Sequence, residues 1–235
     1  MGLHGRAAAC TINATGTSAI VAHEWRARAD VDVVALCEHP GTNYATLVGT
    51  RDGGVFLWDL RERDGGGGGG ATTQALIKLP TSLVSLLPLG PTAPWAFLAA
   101  DMHETAVAYD VRSVKKTEPL AKLVDYRNSA QRRGVTVGAC GHVAAAQADT
   151  LGVRVWEPPR GGGAAKVIFQ TAAALPTDAP AASVAFLHSS VAERIGGTRR
   201  CDAATESAFT FTSPRAWPAL LVAESDALRV LAPPW

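Results

Sequence analysis

Residues 47–63 read LVGTRDGGVFLWDLRER, and residues 97–116 read FLAADMHETAVAYDVRSVKK. In both stretches, small residues lead through an acidic turn into an alternating apolar run, which ends in an aromatic residue, an Asp and, two positions on, an Arg. Short alternating runs predict β-strands, and the Asp52-Gly53 step predicts a tight turn between two of them. The chain therefore contains one hairpin pattern at least twice.

The strand-forming runs return in a fixed order along the chain. Trp58 is followed by Tyr109 after 51 residues and by Trp156 after 47 more. Without the Gly- and Ser-containing segment 191–216, a further 49 residues separate Trp156 from Leu231. A period in the forties, with four strands in each unit, is typical of the blades of a β-propeller.

We therefore predict one all-β domain, a partial propeller ring of about four four-stranded blades. Their approximate limits are residues 31–81, 82–128, 133–172 and 180–235. A hairpin at about residues 9–23 is expected to belong to a preceding blade, and residues 191–216 are expected to be an insertion in a loop. Such a segment is about half of a usual ring, so we expect a fragment, a truncated product or a chain that closes with a second copy.

Composition narrows the classes of function. The chain has 235 residues and a formal net charge of +1, which argues against a general nucleic-acid or membrane-surface binder. No apolar run approaches the roughly twenty residues of a membrane helix. The four cysteines are widely spaced without a CxxC pair, so they predict neither a zinc site nor a disulfide framework. We expect an intracellular protein of the nucleus or cytoplasm, without metal or cofactor.

The aromatic residues that close each unit have a structural interpretation. Trp58, Tyr109 and Trp156 are expected to wedge between neighbouring sheets. Asp52 is expected to tie down adjacent loops by accepting hydrogen bonds in its turn. The units thereby resemble the WD-repeat family, whose blades end in Trp-Asp, as Trp58-Asp59 does. Tyr109-Asp110 and Trp156-Glu157 are conservative versions of that pair.

Arg61 and Arg112 need a separate explanation, because a blade does not require an arginine two residues after the aromatic. Both lie just beyond a predicted strand, so their guanidinium groups can reach the same face of the disk. Guanidinium groups bind carboxylates in bidentate fashion and also donate to carbonyls, which suits an interface anchor. The alternative is that both are solvated hairpin residues.

The arginine pattern is similar to the sixteen-residue box of substrate receptors in cullin-4 RING ubiquitin ligases. The first copy fills the slots of the box with Leu47, Val48, Gly49, Thr50, Asp52, Phe56, Leu57, Trp58, Asp59 and Arg61. The second copy has His103 in the Asp slot, with Asp101 two residues early, and the third has Pro159 in place of the arginine. From about residue 32 onward, the order of blades resembles the type-four DDB-one- and cullin-four-associated factors, also called the WD-repeat protein twenty-one family.

This resemblance implies a non-catalytic substrate receptor that docks to the ligase adaptor through Arg61 and Arg112, with Asp59 and Asp110 beside them. It implies an unknown protein substrate. The alternative is a general WD-repeat scaffold in a multiprotein complex without a ligase; an enzyme is a third and more distant reading, because no GxSxG, HExxH or paired-carboxylate motif appears.

Other candidate sites carry weaker signals. Gly65–Gly70 lacks the Lys-Ser or Lys-Thr of a phosphate-binding loop and is predicted to be a flexible hairpin. Cys140 and His142 could form a dyad, but no orienting residue is evident. His23, Cys37 and His39 could be grouped as metal ligands, although turn and core positions explain them better. Two basic segments, residues 127–133 and 194–200, are interpreted as solvated loops, with recognition of an acidic partner as the alternative.

Overall fold

The computed structural model describes twelve segments of the chain. They are residues 6–12, 19–26, 31–61, 75–91, 93–113, 118–129, 134–148, 152–158, 163–170, 183–186, 220–223 and 228–231. Within them the backbone forms strands and turns, arranged in five hydrogen-bonded sheets. The prediction of an all-β chain is therefore confirmed for the described residues.

The first sheet is a two-stranded antiparallel hairpin, and the second is a four-stranded antiparallel sheet in chain order. Their strands are β1 (Arg6–Ile12), β2 (Ala19–Arg26), β3 (Val33–Glu38), β4 (Ala45–Thr50), β5 (Gly54–Asp59) and β6 (Ile77–Lys78). The first sheet includes the region in which the hairpin at residues 9–23 is predicted, and its strands extend beyond it at both ends.

The three remaining sheets are antiparallel except for one parallel pair of strands. Their strands are β7 (Leu83–Pro88), β8 (Ala96–Asp101), β9 (Ala106–Asp110), β10 (Ala121–Leu123), β11 (Val135–Val137), β12 (Val143–Ala146), β13 (Val153–Trp156), β14 (Gly163–Ala165), β15 (Val167–Gln170), β16 (Ser183–Phe186), β17 (Leu220–Ala223) and β18 (Leu228–Leu231). The third sheet has the order β14-β10-β9-β8-β7, the fourth β11-β12-β13-β15 and the fifth β16-β17-β18. The parallel pair is β10 with β14.

Strand β14 departs from the sequence prediction. The sequence predicts one strand over residues 165–171, in the third predicted unit (residues 133–172), but Lys166 interrupts the run. The residues before it pair with β10 in parallel, with Lys122 opposite Ala164, and so extend the third sheet. The residues after it pair with β13. The loop of one unit therefore supplies an outer strand to the preceding unit.

The turn between β4 and β5 requires glycine. Gly53 has φ +85°, and a Cβ atom there would lie 2.5 Å from the carbonyl oxygens of both Leu79 and Thr81. A side chain at this position would be strained by the backbone conformation and would also clash with the neighbouring chain. The close approach brings the turn against the segment that leads from β6 into the third sheet.

Asp52 fixes the same turn from within its own sheet. Its Oδ1 accepts hydrogen bonds from the Thr50 hydroxyl at 2.6 Å and from the Gly54 amide at 3.4 Å, and its Oδ2 pairs with Lys78 on β6. Partial burial raises the pKa of Asp52, but the hydrogen bonds from Lys78 and Thr50 outweigh it and leave the pKa below its usual value. Asp52 thus joins the turn to the outer strand.

In the third sheet, Asp101 takes over the role of the turn acid. Its backbone corresponds to Thr50 rather than Asp52, and its Oδ1 accepts the amides of His103 at 3.0 Å and Thr105 at 2.9 Å. The residue in the usual Asp slot, His103, has an exposed side chain. Asp101, which precedes the usual Asp slot by two residues, therefore accepts the amides of its turn from a different backbone position.

The predicted wedge residues lie between neighbouring sheets. Trp58 packs in a buried cluster with Ala7 and Trp25 of the first sheet. Tyr109 is half-buried against the cluster shared by the second and third sheets, and its ring stacks on Phe97 with centroids 5.9 Å apart. Trp58 thus packs with residues of the preceding sheet, and Tyr109 packs against a cluster that includes residues of the preceding sheet.

Trp156 is the most completely enclosed of the three. It has no exposed surface, and it packs in the cluster between the third and fourth sheets, with its ring 6.3 Å from that of Tyr126. Its indole Nε1 donates a hydrogen bond of 2.7 Å to the carbonyl of Val124. This residue therefore links two sheets by both packing and a directed hydrogen bond.

Buried polar side chains reinforce this junction. Arg154 is 6% exposed, and its guanidinium donates to the carbonyl of Asp125, to Gln147 Oε1 at 3.2 Å and to Gln170 Oε1 at 3.1 Å. Asp125 has φ +56°, a left-handed conformation, which is uncommon for a residue other than glycine. Side chains of the fourth sheet thus donate hydrogen bonds directly to main-chain carbonyls of the segment that connects the third sheet to the fourth.

Several predictions concern residues outside the described segments. These are the polyglycine loop 65–70, the insertion 191–216, the basic segment 194–200 and most of the segment 127–133. In the fifth sheet, three strands are described. The limits of the four predicted blades stay predictions.

Candidate functional site

Arg61 follows β5 and is held by the acid of the Trp-Asp pair. Its Nε donates to Asp59 Oδ1 at 3.0 Å and one terminal nitrogen donates to Oδ2 at 2.6 Å, so the pair is bidentate. The backbone amide of Arg61 also donates to Asp59 Oδ1 at 2.9 Å. The short turn after the strand thereby fixes the direction of an otherwise exposed side chain.

Arg112 repeats this arrangement after β9. Its backbone amide and Nε donate to Asp110 Oδ1 at 2.9 and 3.0 Å, and a terminal nitrogen donates to Oδ2 at 2.6 Å. The two arginines therefore occupy matching settings in successive sheets. The sequence places each arginine beside its acid; it did not predict that the acid binds its own arginine.

Each guanidinium also lies over an aromatic ring. The Cζ of Arg61 is 4.8 Å from the centroid of the Tyr44 ring, and the Cζ of Arg112 is 5.3 Å from the centroid of a ring of Trp95. Tyr44 and Trp95 immediately precede β4 and β8, at the same end of the sheets as the arginines. Such stacking is attractive because the ring face carries partial negative charge.

The contact of each arginine with an aromatic ring was not predicted from the sequence, although the spacing of the residues indicates it. Tyr44 and Trp95 each precede the corresponding arginine by seventeen residues. The main chain shows the same correspondence, since Leu60 donates its amide to the carbonyl of Tyr44 and Val111 to that of Trp95, at 2.7 and 2.8 Å.

The ion pairs shift the titration of their members. Hydrogen bonds from Arg61 lower the pKa of Asp59 to about 2, and those from Arg112 lower the pKa of Asp110. The hydrogen bond with Asp110 raises the pKa of Arg112. All four side chains are therefore charged at neutral pH, and each arginine is compensated by its own carboxylate.

The fourth sheet lacks this arrangement. By the register of the strand pairs, the position that corresponds to Tyr44 and Trp95 is Gly141. The position of the arginine is Pro159, which lies outside the described residues. Glu157 accepts the amide of Lys166 at 3.4 Å instead. Arginine and ring are thus both replaced in the sheet whose Trp156 is most deeply buried.

The described side chains of the candidate dyad and of the candidate metal ligands lie in dissimilar environments. Cys140 is exposed whereas His142 is buried. Burial raises the pKa of Cys37 to about 12, so this thiol is protonated at neutral pH, and burial lowers the pKa of His39. No three His, Cys, Asp or Glu side chains in the described segments are grouped so that they could hold a metal ion. The side chain of His23 lies outside what the structure describes.

The basic segment 127–133 is described only in its first part. The Arg127 side chain forms an ion pair with Glu104, and its amide donates to Gln147 Oε1 at 2.8 Å. Arg127 therefore takes part in the contact between the third and fourth sheets, whereas Arg132 and Arg133 lie outside the described residues.

Comparison with known proteins gives similarity in structure alone. No protein-family model and no curated protein matches the chain. A chain in the crystal structure of an active polycomb repressive complex 2 in the basal state matches with a TM-score of 0.65 at 14% identity, over 97% of this chain and 43% of that chain. One in a humanized mutant of the Chaetomium thermophilum Polycomb Repressive Complex 2 matches with a TM-score of 0.61 at 16% identity, over 78% and 41%.

At these identities the likeness concerns the fold alone, and it fits a β-propeller. The chain spans about two fifths of the length of these neighbours. The described residues include no helix long and apolar enough to cross a membrane.

Proposed function

We propose that this chain is a non-catalytic protein-interaction module, a segment of about four propeller blades that serves as substrate receptor of a cullin-4 RING ubiquitin ligase. It docks to the ligase adaptor through Arg61 and Arg112, acts inside the cell in the nucleus or cytoplasm, and carries an unknown protein substrate on other surfaces. No cofactor takes part.

The proposal is supported by a polar arrangement that two successive sheets repeat. The packing of the sheets does not require the exposed arginine in this arrangement. In two successive sheets an exposed arginine is bound by its neighbouring Asp with the same three donor–acceptor distances. Exposed arginines usually sample many rotamers, so fixing them in advance lowers the entropic cost of binding a partner. Asp59 and Asp110 act in this proposal by orienting the arginines.

A scaffold in a multiprotein complex without a ligase is the second candidate. Its support is the likeness in fold to chains from Polycomb repressive complex 2. The two candidates differ in one partner, because the adaptor and the cullin are expected only with a ligase receptor.

Co-purification of the adaptor with Arg61→Ala, Arg112→Ala and the double variant tests the proposal. Each single change should weaken adaptor binding at least about tenfold, because truncation leaves acceptors of the partner unpaired. The melting temperature should stay within about 2 °C of the wild type, since these are surface changes. Full retention of the adaptor by the double variant would contradict the docking role.

Arg51→Ala is the matched control. Arg51 is also an exposed arginine paired with an Asp, with its Nε 3.0 Å from Asp32 Oδ2, but it follows β4 at the opposite end of the sheet. This variant should keep adaptor binding unchanged. A similar loss with Arg51→Ala would show that the effect follows from lost charge in general rather than from the paired site.

A further inference from the structure

Two large aromatic side chains are exposed beside the paired arginines. Tyr44 is 48% exposed and Trp95 is 40% exposed. Trp58 and Trp156 are buried, whereas Tyr44 and Trp95 each lie at the end of a sheet beneath a guanidinium group. Exposed aromatic rings and arginines are the residue types that most often dominate the energy of protein interfaces.

The two rings belong to one continuous surface. The ring of Trp95 lies directly against Gly41, where an added Cβ atom would be 2.1 Å from a ring carbon. Gly41 is part of the turn that leads into β4 and carries Tyr44, so the ring of the third sheet contacts the corresponding turn of the second. Trp95 is therefore held between Gly41 and Arg112, and the surface spans two sheets.

The two arginines and two aspartates that the structure describes on this surface have no net formal charge. Arg61 and Arg112 each carry one positive charge, and Asp59 and Asp110 compensate both through bidentate contacts. A partner rich in acidic residues would therefore meet the two carboxylates as well as the two guanidinium groups. The rings add apolar area, and guanidinium groups are hydrogen-bond donors only.

We infer that Tyr44 and Trp95, together with Arg61 and Arg112, form a docking surface for an uncharged, apolar segment of the adaptor that presents main-chain carbonyls. The rings bind the apolar groups of this segment, and the guanidinium groups donate to its carbonyls. This inference rests on the proposed function and assigns the docking energy to the rings as well as to the arginines.

The test compares Tyr44→Lys with Tyr44→Gln in a titration of the purified adaptor, at about 0.05 M and about 0.5 M NaCl. The two variants have side chains of similar length and differ in charge. Both should weaken binding about tenfold, to the same extent within about threefold and at both salt concentrations, because each removes the ring. An acidic partner would instead favour the Lys variant over the Gln variant at low salt, and that result would overturn the inference.

Trp95→Ala and Trp95→Phe extend the test to the second sheet. The Ala variant should lose about tenfold in affinity, whereas the Phe variant keeps a ring against Gly41 and should stay within about threefold of the wild type. Melting curves check that the Ala variant is folded, and the Tyr44 variants test the same surface if it is not. Wild-type affinity in Trp95→Ala and Tyr44→Gln would overturn the inference.

The outcomes separate this inference from the proposed function. Loss of binding in the arginine variants together with full binding in the ring variants overturns the inference alone. Loss of binding in the ring variants with full binding in the double arginine variant overturns the arginine role and leaves the rings as the docking groups. A wild-type chain that binds no adaptor at either salt concentration overturns both.

Discussion

Replacement of Trp156 by Phe tests the packing of two successive sheets. The change keeps a six-membered ring but removes the indole nitrogen and part of the buried volume. Loss of the 2.7 Å hydrogen bond leaves the partly buried carbonyl of Val124 without this donor, which costs about 1–1.5 kcal/mol. The missing atoms leave a small cavity, which costs about 1 kcal/mol more. We expect a total loss of about 2–3 kcal/mol of unfolding free energy.

Trp156→Ala should be considerably worse. Removal of a fully buried Trp side chain costs about 3–5 kcal/mol in cavity and transfer terms, and the lost hydrogen bond adds about 1 kcal/mol. Since natural domains have about 5–15 kcal/mol of stability in total, this variant should give a low yield of folded protein. The Phe variant is therefore the one suited to quantitative measurement.

Urea unfolding followed by circular dichroism measures the effect. For a denaturant dependence of about 2.5 kcal/mol per molar urea, the Phe variant should unfold at a midpoint about 1 M lower than the wild type. Trp95→Phe is the control, because Trp95 is 40% exposed, and its midpoint should move by less than about 0.2 M. A shift below about 0.2 M for Trp156→Phe would refute the role of Trp156 as a bonded wedge between the third and fourth sheets.

Two further predictions concern titration and reactivity. Because hydrogen bonds from Arg61 depress the pKa of Asp59 to about 2, the stabilisation that this pair supplies is complete above the ordinary pKa near 3.8 and is lost as the pH falls through about 2. Carboxyl ¹³C NMR should show a midpoint near 2 for the wild type and a return toward 3.8 in Arg61→Ala; equal midpoints would contradict the pairing. Cys37 should resist alkylation at pH 8 in the folded protein, because burial raises the pKa of its thiol to about 12, whereas exposed Cys140 should react within minutes; equal rates would contradict the burial of Cys37.

The sequence was sufficient for those parts of the fold that local chemistry determines. Alternating runs bounded by Gly, Asp and Pro predicted the strands, and the turn at Asp52-Gly53 has the hydrogen bonds and positive φ that its residues favour. The packing of Trp58 against the preceding sheet follows from the burial of a large apolar side chain. These features depend on neighbours in the chain or on the hydrophobic effect, so they can be predicted from a single sequence.

Long-range pairing was not predictable in the same way. Strand β14 consists of Gly163, Ala164 and Ala165, which have low strand propensity, and its register is set by the free edge of β10 more than forty residues earlier. Arg154 reads as an ordinary polar residue of an alternating strand, but it is buried because the carbonyl of Asp125 and two glutamine side chains accept its hydrogen bonds. Neither contact can be recognised from the residues that are adjacent in the sequence.

Comparison of the second, third and fourth sheets distinguishes residues that the fold requires from residues that belong to the exposed surface. The fourth sheet keeps its aromatic wedge, and Trp156 is the most buried of the three, yet Gly141 and Pro159 stand where the second and third sheets have a ring and an arginine. If the arginine stabilised the turn in general, it would be expected wherever the wedge occurs. Ring and arginine instead occur together or not at all in these three sheets, although seventeen or more residues separate them in sequence. The stacking of each guanidinium on its own ring accounts for this joint presence. The ring and arginine variants measure whether the stacked pairs also contact a partner.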